Sequence, residues 1–467
     1  MAPTGPPTAP PRGGRLSRAG LLRRPWLMFA LGALAGALVA STLSVTLTRQ
    51  GSEPELEPGE LRILSGSDDS VGRQREALIE VWNAAHPRNP ARIVPLNERS
   101  DAQHAEMVNR AQNDHEIDIF NLDVTWTAEF ASERWLRPID ESLLSEEPDG
   151  VFLANPLATC RYDGRLWALP FNTDAGLLFY RTDLGLQPPF DWQKITTEAN
   201  RVLTERPSGS SLQAGYTGQF ADYEGLVVNA LEALWSAGGT IGVDDEGTVS
   251  VDPRLWAEAL RRLTPGGRTG DGAPLVHPEA REHDETRSRE VFRSGRVMFM
   301  RNWPVQYRSL IADDTAPASP TATPSGPALE FDVAALPGPS VLGGQNLAIA
   351  RQTGQPRAAQ ALIGFLTGEE SQRRLFQRGG FAATRATVYQ DATVRQEYPY
   401  AALLRAEIDR ARRRPESPHY PTFSLVLRRY VIAVLNGGDM PADLAQRLTD
   451  ALAGKLPRPA ATPSAGG

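Results

Sequence analysis

The feature that most constrains this chain is an alternation of strand and helix over residues 61–122. Residues 61–64 are an apolar run that ends in Ser65-Gly66-Ser67-Asp68-Asp69. Leu78, Ile79, Val81 and Trp82 then recur at helical spacing, and His86-Pro87 closes that helix. Residues 91–96 form a second strand, 102–113 a second helix with Ala105, Val108 and Ala111 on one side, and 117–122 a third strand. Strands separated by helices pair in parallel, and α/β sheets of that kind collect ligands beyond the carboxyl ends of their strands. Asp68, Asp69, Asp123 and Trp126 therefore fall on a ligand-facing rim. The same acids are also the residue type that forms turns and caps helices, which is the competing reading for each of them.

At 467 residues the chain is longer than one hydrophobic core usually serves, so two lobes are expected. Charge divides the chain unevenly. Residues 1–50 hold six Arg and no acid, which leaves 43 bases against 56 acids in the remainder. An acidic body argues against a nucleic-acid partner, which requires a basic face. Residues 26–47 carry no charge for 22 positions, enough for a transmembrane helix, with five Arg before them and Glu53, Glu55, Glu57 and Glu60 after. The positive-inside rule then puts residues 1–25, a Pro/Gly/Arg-rich segment that reads as disordered, in the cytoplasm and the body outside. The apolar run continues past Val39-Ala40-Ser41, where a signal peptide would be cut, which favours an uncleaved signal anchor followed by a linker over 49–60. The lone Cys160 has no internal disulfide partner and reads as a buried, inert thiol.

Residues 162–184, YDGRLWALPFNTDAGLLFYRTDL, place a polar switch (Asn172, Thr173, Asp174) between two β-rich runs. Helices follow over 191–205, 225–237, 252–263 and 285–294, with a hairpin turn at Asp244-Asp245-Glu246-Gly247. A strand over 297–300 runs into Asn302-Trp303-Pro304. Residues 316–327 are a Pro/Ser/Thr/Ala tract that reads as a surface insertion. Gly343-Gly344-Gln345-Asn346 reads as a loop into a strand over 347–350, after which the chain is helical to 453 and ends in a Pro/Ala/Gly tail, 454–467. No internal repeat is visible. The six His are scattered, and His277 and His283 lie in a charged, loop-like stretch that reads as solvated; no zinc-type spacing, serine elbow or phosphate loop appears.

Four blocks of this sequence resemble the carbohydrate-binding branch of ABC-transporter extracellular solute-binding proteins, the family 1 group that includes maltose and trehalose binders. They are DIFNLDVTWTAEF with WLRPID, the 162–184 crossover, EVFRSGRVMFMRNWP, and LPGP to LGGQNLAIA with the helices that follow. The resemblance implies a two-lobed, type II periplasmic-binding-protein-like α/β fold joined by crossover strands. Lobe 1 would be 61–172 with 338–366, and lobe 2 would be 173–337 with 367–453. It implies a non-enzymatic, monomeric binder without cofactor or metal that captures a sugar, a disaccharide or oligosaccharide, between its lobes and delivers it to an ABC permease. In that family the crossover carboxylate, here Asp174, and the Trp after the Gly-containing strand, here Trp303, face the sugar.

The chemistry fits the residue types. A pyranose presents hydroxyls that both donate and accept, and flat C–H faces, so carboxylates, amides and Arg must be joined by aromatic rings. Asp123, Asn172, Asp174, Asn346 and Arg385 supply the polar set, Trp126, Tyr223 and Trp303 the rings, and Arg99 is a further, weaker candidate. Two positions depart from the family, Val305 and Gln345, where aromatics are common. Two other readings stay open on the same residues: a membrane-anchored sugar sensor without a permease, and a glycoside hydrolase built on a carboxylate pair such as Asp123 and Asp174.

Overall fold

In the computed structural model the described residues are 56–68, 70–96, 100–141, 144, 152–267, 274–315 and 329–456. The candidate membrane helix over 26–47, the 316–327 tract, the tail beyond 456, Asp69 and Arg99 lie outside them. Among the described residues no helix is long and apolar enough to cross a membrane.

The elements that position the site are, in chain order, β1 (Leu61–Gly66), α1 (Gln74–Ala85), β2 (Ala91–Leu96), α2 (Ser100–Asn113), β3 (Ile119–Asp123), β4 (Ala168–Ala175), β5 (Leu177–Arg181), β6 (Ala214–Thr217), α3 (Glu224–Ser236), α4 (Glu285–Arg293), β7 (Val297–Asn302), β8 (Phe331–Ala334), β9 (Leu342–Ala350) and α5 (Tyr420–Leu435). β1 pairs in parallel with both β2 and β3. β9 runs antiparallel to β3 and to β4, and this sheet belongs to the first lobe. Its core packs Leu61, Ile63, Trp82, Phe120, Phe130, Leu347 and Leu362. Parallel strands covered on both faces bury nearly every residue, which is why β1 and β3 are mostly apolar, with Arg62 and Asn121 among the polar exceptions inside them.

The second lobe has a four-stranded sheet in the order β8-β5-β7-β6. One face packs on α3, α5 and the helix Pro253–Arg261 through Trp256, Leu231, Phe299 and Leu427. The other packs on Phe292, Phe376, Tyr398 and Leu404. Asp191, Asp252 and Asp284 each accept backbone N–H bonds at a helix start, so local capping fixes where those helices begin.

The chain first crosses between the sheets through one residue, Gly176, between β4 and β5, and returns over 335–341 between β8 and β9; the Gly176 N–H donates to Ser340 Oγ, in that return segment, at 2.6 Å. β9 differs from the sequence reading. The Gly343-Gly344 pair is not a loop before a strand but lies inside a nine-residue strand, with a register shift between Gln345 and Asn346. A helix over Val305–Thr315 also occupies a stretch for which the apolar pattern predicts no element. Val81, expected on the apolar face of α1, is 41% exposed.

Candidate binding site

A cavity of about 330 Å³ opens between the two lobes. It is lined from the first by Arg75, Asp123, Asn172, Asp174 and Gln345, and from the second by Tyr223, Glu224, Glu285 and Trp303. A second cavity of about 340 Å³ continues it and shares Arg75, Glu285, Trp303, Val305 and Gln345.

Residues two apart on a strand face the same way, so the end of β4 turns Asn172 and Asp174 to one side. Asn172 Nδ2 donates to Asp174 Oδ2 at 3.2 Å. Arg75, on α1, donates to Asn172 Oδ1 at 3.2 Å and to Gln345 Oε1, and its guanidinium lies 4.4 Å from the Phe381 ring centroid. Burial in the cleft wall pushes the Asp174 carboxyl up to about 7, with Arg75 and Arg301 pulling the other way without reversing it. Gln345 Oε1 also accepts from Asn121 Nδ2 at 3.1 Å, which leaves the amide nitrogen of Gln345 to serve the cavity as a donor.

Across the cavity, Trp303 follows β7 directly. Its indole rests on the guanidinium of Arg301, 3.8 Å from the ring centroid. Arg301 is fixed by two bonds to Glu232, at 2.9 and 2.8 Å, inside the second lobe. Trp303 Nε1 donates to Glu285 Oε1 at 3.3 Å, and Tyr223 OH donates to Glu285 Oε2 at 2.7 Å. Two glycines make the meeting possible. A Cβ on Gly343 would stand 3.2 Å from Asp174 Cβ and 3.2 Å from the Trp303 ring edge, so the acid and the indole flank one small gap. A Cβ on Gly344, whose φ is +124°, would stand 2.3 Å from the Asn172 carbonyl oxygen.

Asp123 ends β3. Its Oδ1 accepts from Thr125 N at 2.9 Å, Thr125 Oγ1 at 2.7 Å and Arg414 at 3.1 Å. Arg414, 3% exposed, also donates to Glu224 Oε1 at 2.8 Å and so spans the two lobes. Glu224 further accepts from Tyr420 OH and Ser424 Oγ, each at 2.5 Å.

Of the residues expected at the site, Asp123, Asn172, Asp174, Tyr223 and Trp303 line the cavity. Asp68 does not. Its Oδ1 accepts from Ser70 N and Oγ, and its Oδ2 from Arg75 N and Glu76 N at 2.7 and 3.2 Å, so it holds the start of α1. Trp126 is packed into the first-lobe core with its ring 5.2 Å from His104. Asn346 has no exposed surface and donates to Thr127 Oγ1 and the Thr159 carbonyl inside that lobe. Arg385 is buried as well, donating to the Thr367 carbonyl and stacking on Phe152. It is not among the residues that line the cavities. His277 and His283, expected to be solvated, are buried. Cys160 is buried, and burial pushes its thiol far above the ordinary value.

Sequence reasoning passed over Arg75, Glu285, Arg301 and Arg414. Arg414 lies 291 positions from Asp123, so no local pattern joins them. Arg301 could have been found from its place two residues before Trp303 in β7.

The profile of the family described as "Bacterial extracellular solute-binding protein" matches residues 82–401. A "Probable ABC transporter-binding protein" of Deinococcus radiodurans is 31% identical over 353 residues, covering 72% of this chain and 79% of the relative. Maltose-bound MalE3 of T. maritima superposes with a TM-score of 0.72 at 28% identity, covering 84% of this chain and 99% of that one. The GacH receptor of Streptomyces glaucescens shares the fold, with a TM-score of 0.69 at 20% identity over 86% of this chain and all of that one.

Proposed function

The chain belongs to the bacterial extracellular solute-binding protein family, and from that premise we propose that its cleft captures a carbohydrate and presents it to an ABC importer. The observation that carries this reading is the meeting of Asp174 and Trp303 across Gly343, a charged acceptor beside a flat apolar ring. A sugar ring laid on the indole covers its C–H face, while Asp174 and Asp123 accept from hydroxyls and Arg75 and the Gln345 amide donate to them. Maltose in the structural relative at 28% identity supports a saccharide as the ligand. Cavities of this volume, with Val305 and Gln345 where bulky aromatics would narrow them, suit a ligand of one or two sugar rings.

In this reading the first lobe runs to the end of β4 and the lobes divide at Gly176, just past the 172/173 boundary that the resemblance implies, with 338–366 returning to the first lobe and 367–453 completing the second. A ligand bound by both lobes favours the closed form through its differential contacts, and the closed form is what the permease recognises. The family is one of binding proteins, so Asp123 and Asp174 are ligand acceptors and not a hydrolytic pair. The chain acts as a monomer on the outer face of the membrane, tethered through residues 26–47.

The test is calorimetric titration and thermal shift of the purified full chain against mono- and disaccharides, maltose and trehalose included. A saturable shift with one saccharide class, lost in Trp303→Ala, supports the reading. Absence of a shift with every saccharide, while the chain remains folded, refutes it. Fractionation of cells tests the tether: residues 26–47 predict a protein that resists alkaline extraction from the membrane.

A further inference from the structure

The segment between β6 and α4 holds a second polar cluster, away from the cleft. Pro278 and a 3-10 turn, Ala280–Glu282, fold the chain back on itself. Ala280 N–H donates to the His277 carbonyl and His283 N–H to the Ala280 carbonyl. The reversal brings the imidazoles of His277 and His283 together, 5.1 Å between ring centroids. Glu279 lies beside them at the surface, and one ligand atom from each of the three residues falls within 4.8 Å of the other two.

Each imidazole is oriented by a neighbour. His283 Nδ1 is 2.7 Å from Thr217 Oγ1, at the end of β6. With Nδ1–H donating there, Nε2 carries a lone pair, and that atom is fully buried with no hydrogen-bond partner among the described residues. A buried nitrogen left in that condition costs free energy unless something unseen satisfies it. His277 Nε2 is 2.8 Å from Gln213 Oε1, so Nε2–H donates and Nδ1 holds the lone pair, met only by the Glu279 N–H at 3.2 Å. A metal-bound imidazole ordinarily donates its other N–H to an oxygen, as both rings do here.

The geometry points to a binding site for a zinc-class divalent transition-metal ion, held by His277 Nδ1, His283 Nε2 and the Glu279 carboxylate. Two imidazoles and one carboxylate are a ligand set that suits zinc, with water completing a tetrahedron. The exposed Glu279 is the mobile member and closes the set by a side-chain rotation. An ion here would close the 277–283 turn on itself, with the His283–Thr217 hydrogen bond joining the turn to the end of β6. The next two residues are Asp284, which caps α4, and Glu285, which holds both Tyr223 and Trp303 in the cleft wall. His277, Glu279 and His283 do not line the cleft cavities, but the turn they form runs directly into the wall that carries Tyr223 and Trp303.

The experiment uses the purified full chain, stripped with chelator and equilibrated with Zn²⁺ alone, and then with Co²⁺. One equivalent of Zn²⁺ per chain is expected, together with the visible absorption of tetrahedral Co²⁺. Two variants test the ligands. Glu279→Gln changes a surface side chain and leaves the fold intact; His283→Asn keeps a donor toward Thr217 and removes Nε2. Each should weaken Zn²⁺ binding at least tenfold and abolish the Co²⁺ band. No stoichiometric Zn²⁺ on the native chain, or undiminished affinity in Glu279→Gln, overturns the proposal.

Discussion

Replacing Asp174 with Asn should make the empty protein more stable at alkaline pH while removing its affinity for ligand. In the free cleft the carboxyl is pushed from 3.8 up to about 7, with burial as the largest cause. A raised carboxyl binds its proton more tightly in the folded chain than in the unfolded one. The stability it contributes is therefore fully present below the unfolded value and is lost as pH rises through about 7. About three pH units at about 1.4 kcal/mol each set a ceiling near ~4 kcal/mol. The carboxylate is partly open to the cleft, and solvent screening brings the working figure to about 2 kcal/mol. For a body of this size that is roughly 2–4 °C in melting temperature. Melting curves of the ligand-free chain and of Asp174→Asn, taken from pH 4 to pH 8, should coincide at the acid end and separate with the variant higher at the alkaline end. Saturating saccharide, which at a hundredfold excess over Kd adds about 2.7 kcal/mol to a binder, should raise only the parent. A difference that does not change with pH, or a parent more stable than the variant at pH 8, would falsify the account of a charge held at a cost for its ligand.

Arg301→Lys should cost about 2–4 kcal/mol of stability, because Glu232 loses a two-point partner inside the second lobe. It should also weaken saccharide binding at least tenfold by freeing the indole above it, read as a change in Trp fluorescence and by titration. Arg414→Met leaves Asp123 and Glu224 without their shared cation, and a loss of about 3 kcal/mol is expected in denaturant unfolding. X-ray scattering of the same variant should show a larger radius of gyration without ligand; an unchanged radius would show that this contact does not hold the lobes together. Gly344→Ala places a methyl against the Asn172 carbonyl at a positive φ, so a loss of about 2–4 kcal/mol is expected by thermal denaturation, and a loss below about 0.5 would sink that reasoning.

What the sequence disclosed depended on whether the determining pattern was local. The strands and helices of the first lobe are set by burial on both faces and by helical spacing, and they appear where the pattern puts them. The sequence placed Asp174 and Trp303 at strand ends within recognisable blocks, and both line the cavity between the lobes. Asn346 was misassigned because the two glycines before it read as a loop. Inside a strand, facing alternates from one residue to the next, and the shift after Gln345 sends Gln345 to the cleft and Asn346 into the core. Asp68 shows the limit of a rim argument: the residue is at the right edge of the sheet, but helix capping claims both its oxygens. Arg414 and Arg75 reach the cleft from positions remote in sequence, and the two buried His are brought together by a turn that their spacing does not announce.

The ion pairs that join the lobes differ in how they meet water. Arg414 is buried against Asp123 and Glu224, whereas Arg428 reaches Asp101 and Asp222 at the rim, the latter 71% exposed. Ions in the medium shield the outer clasp far more than the inner one. Added salt should therefore loosen the Arg428 fastening while leaving the Arg414 one in place.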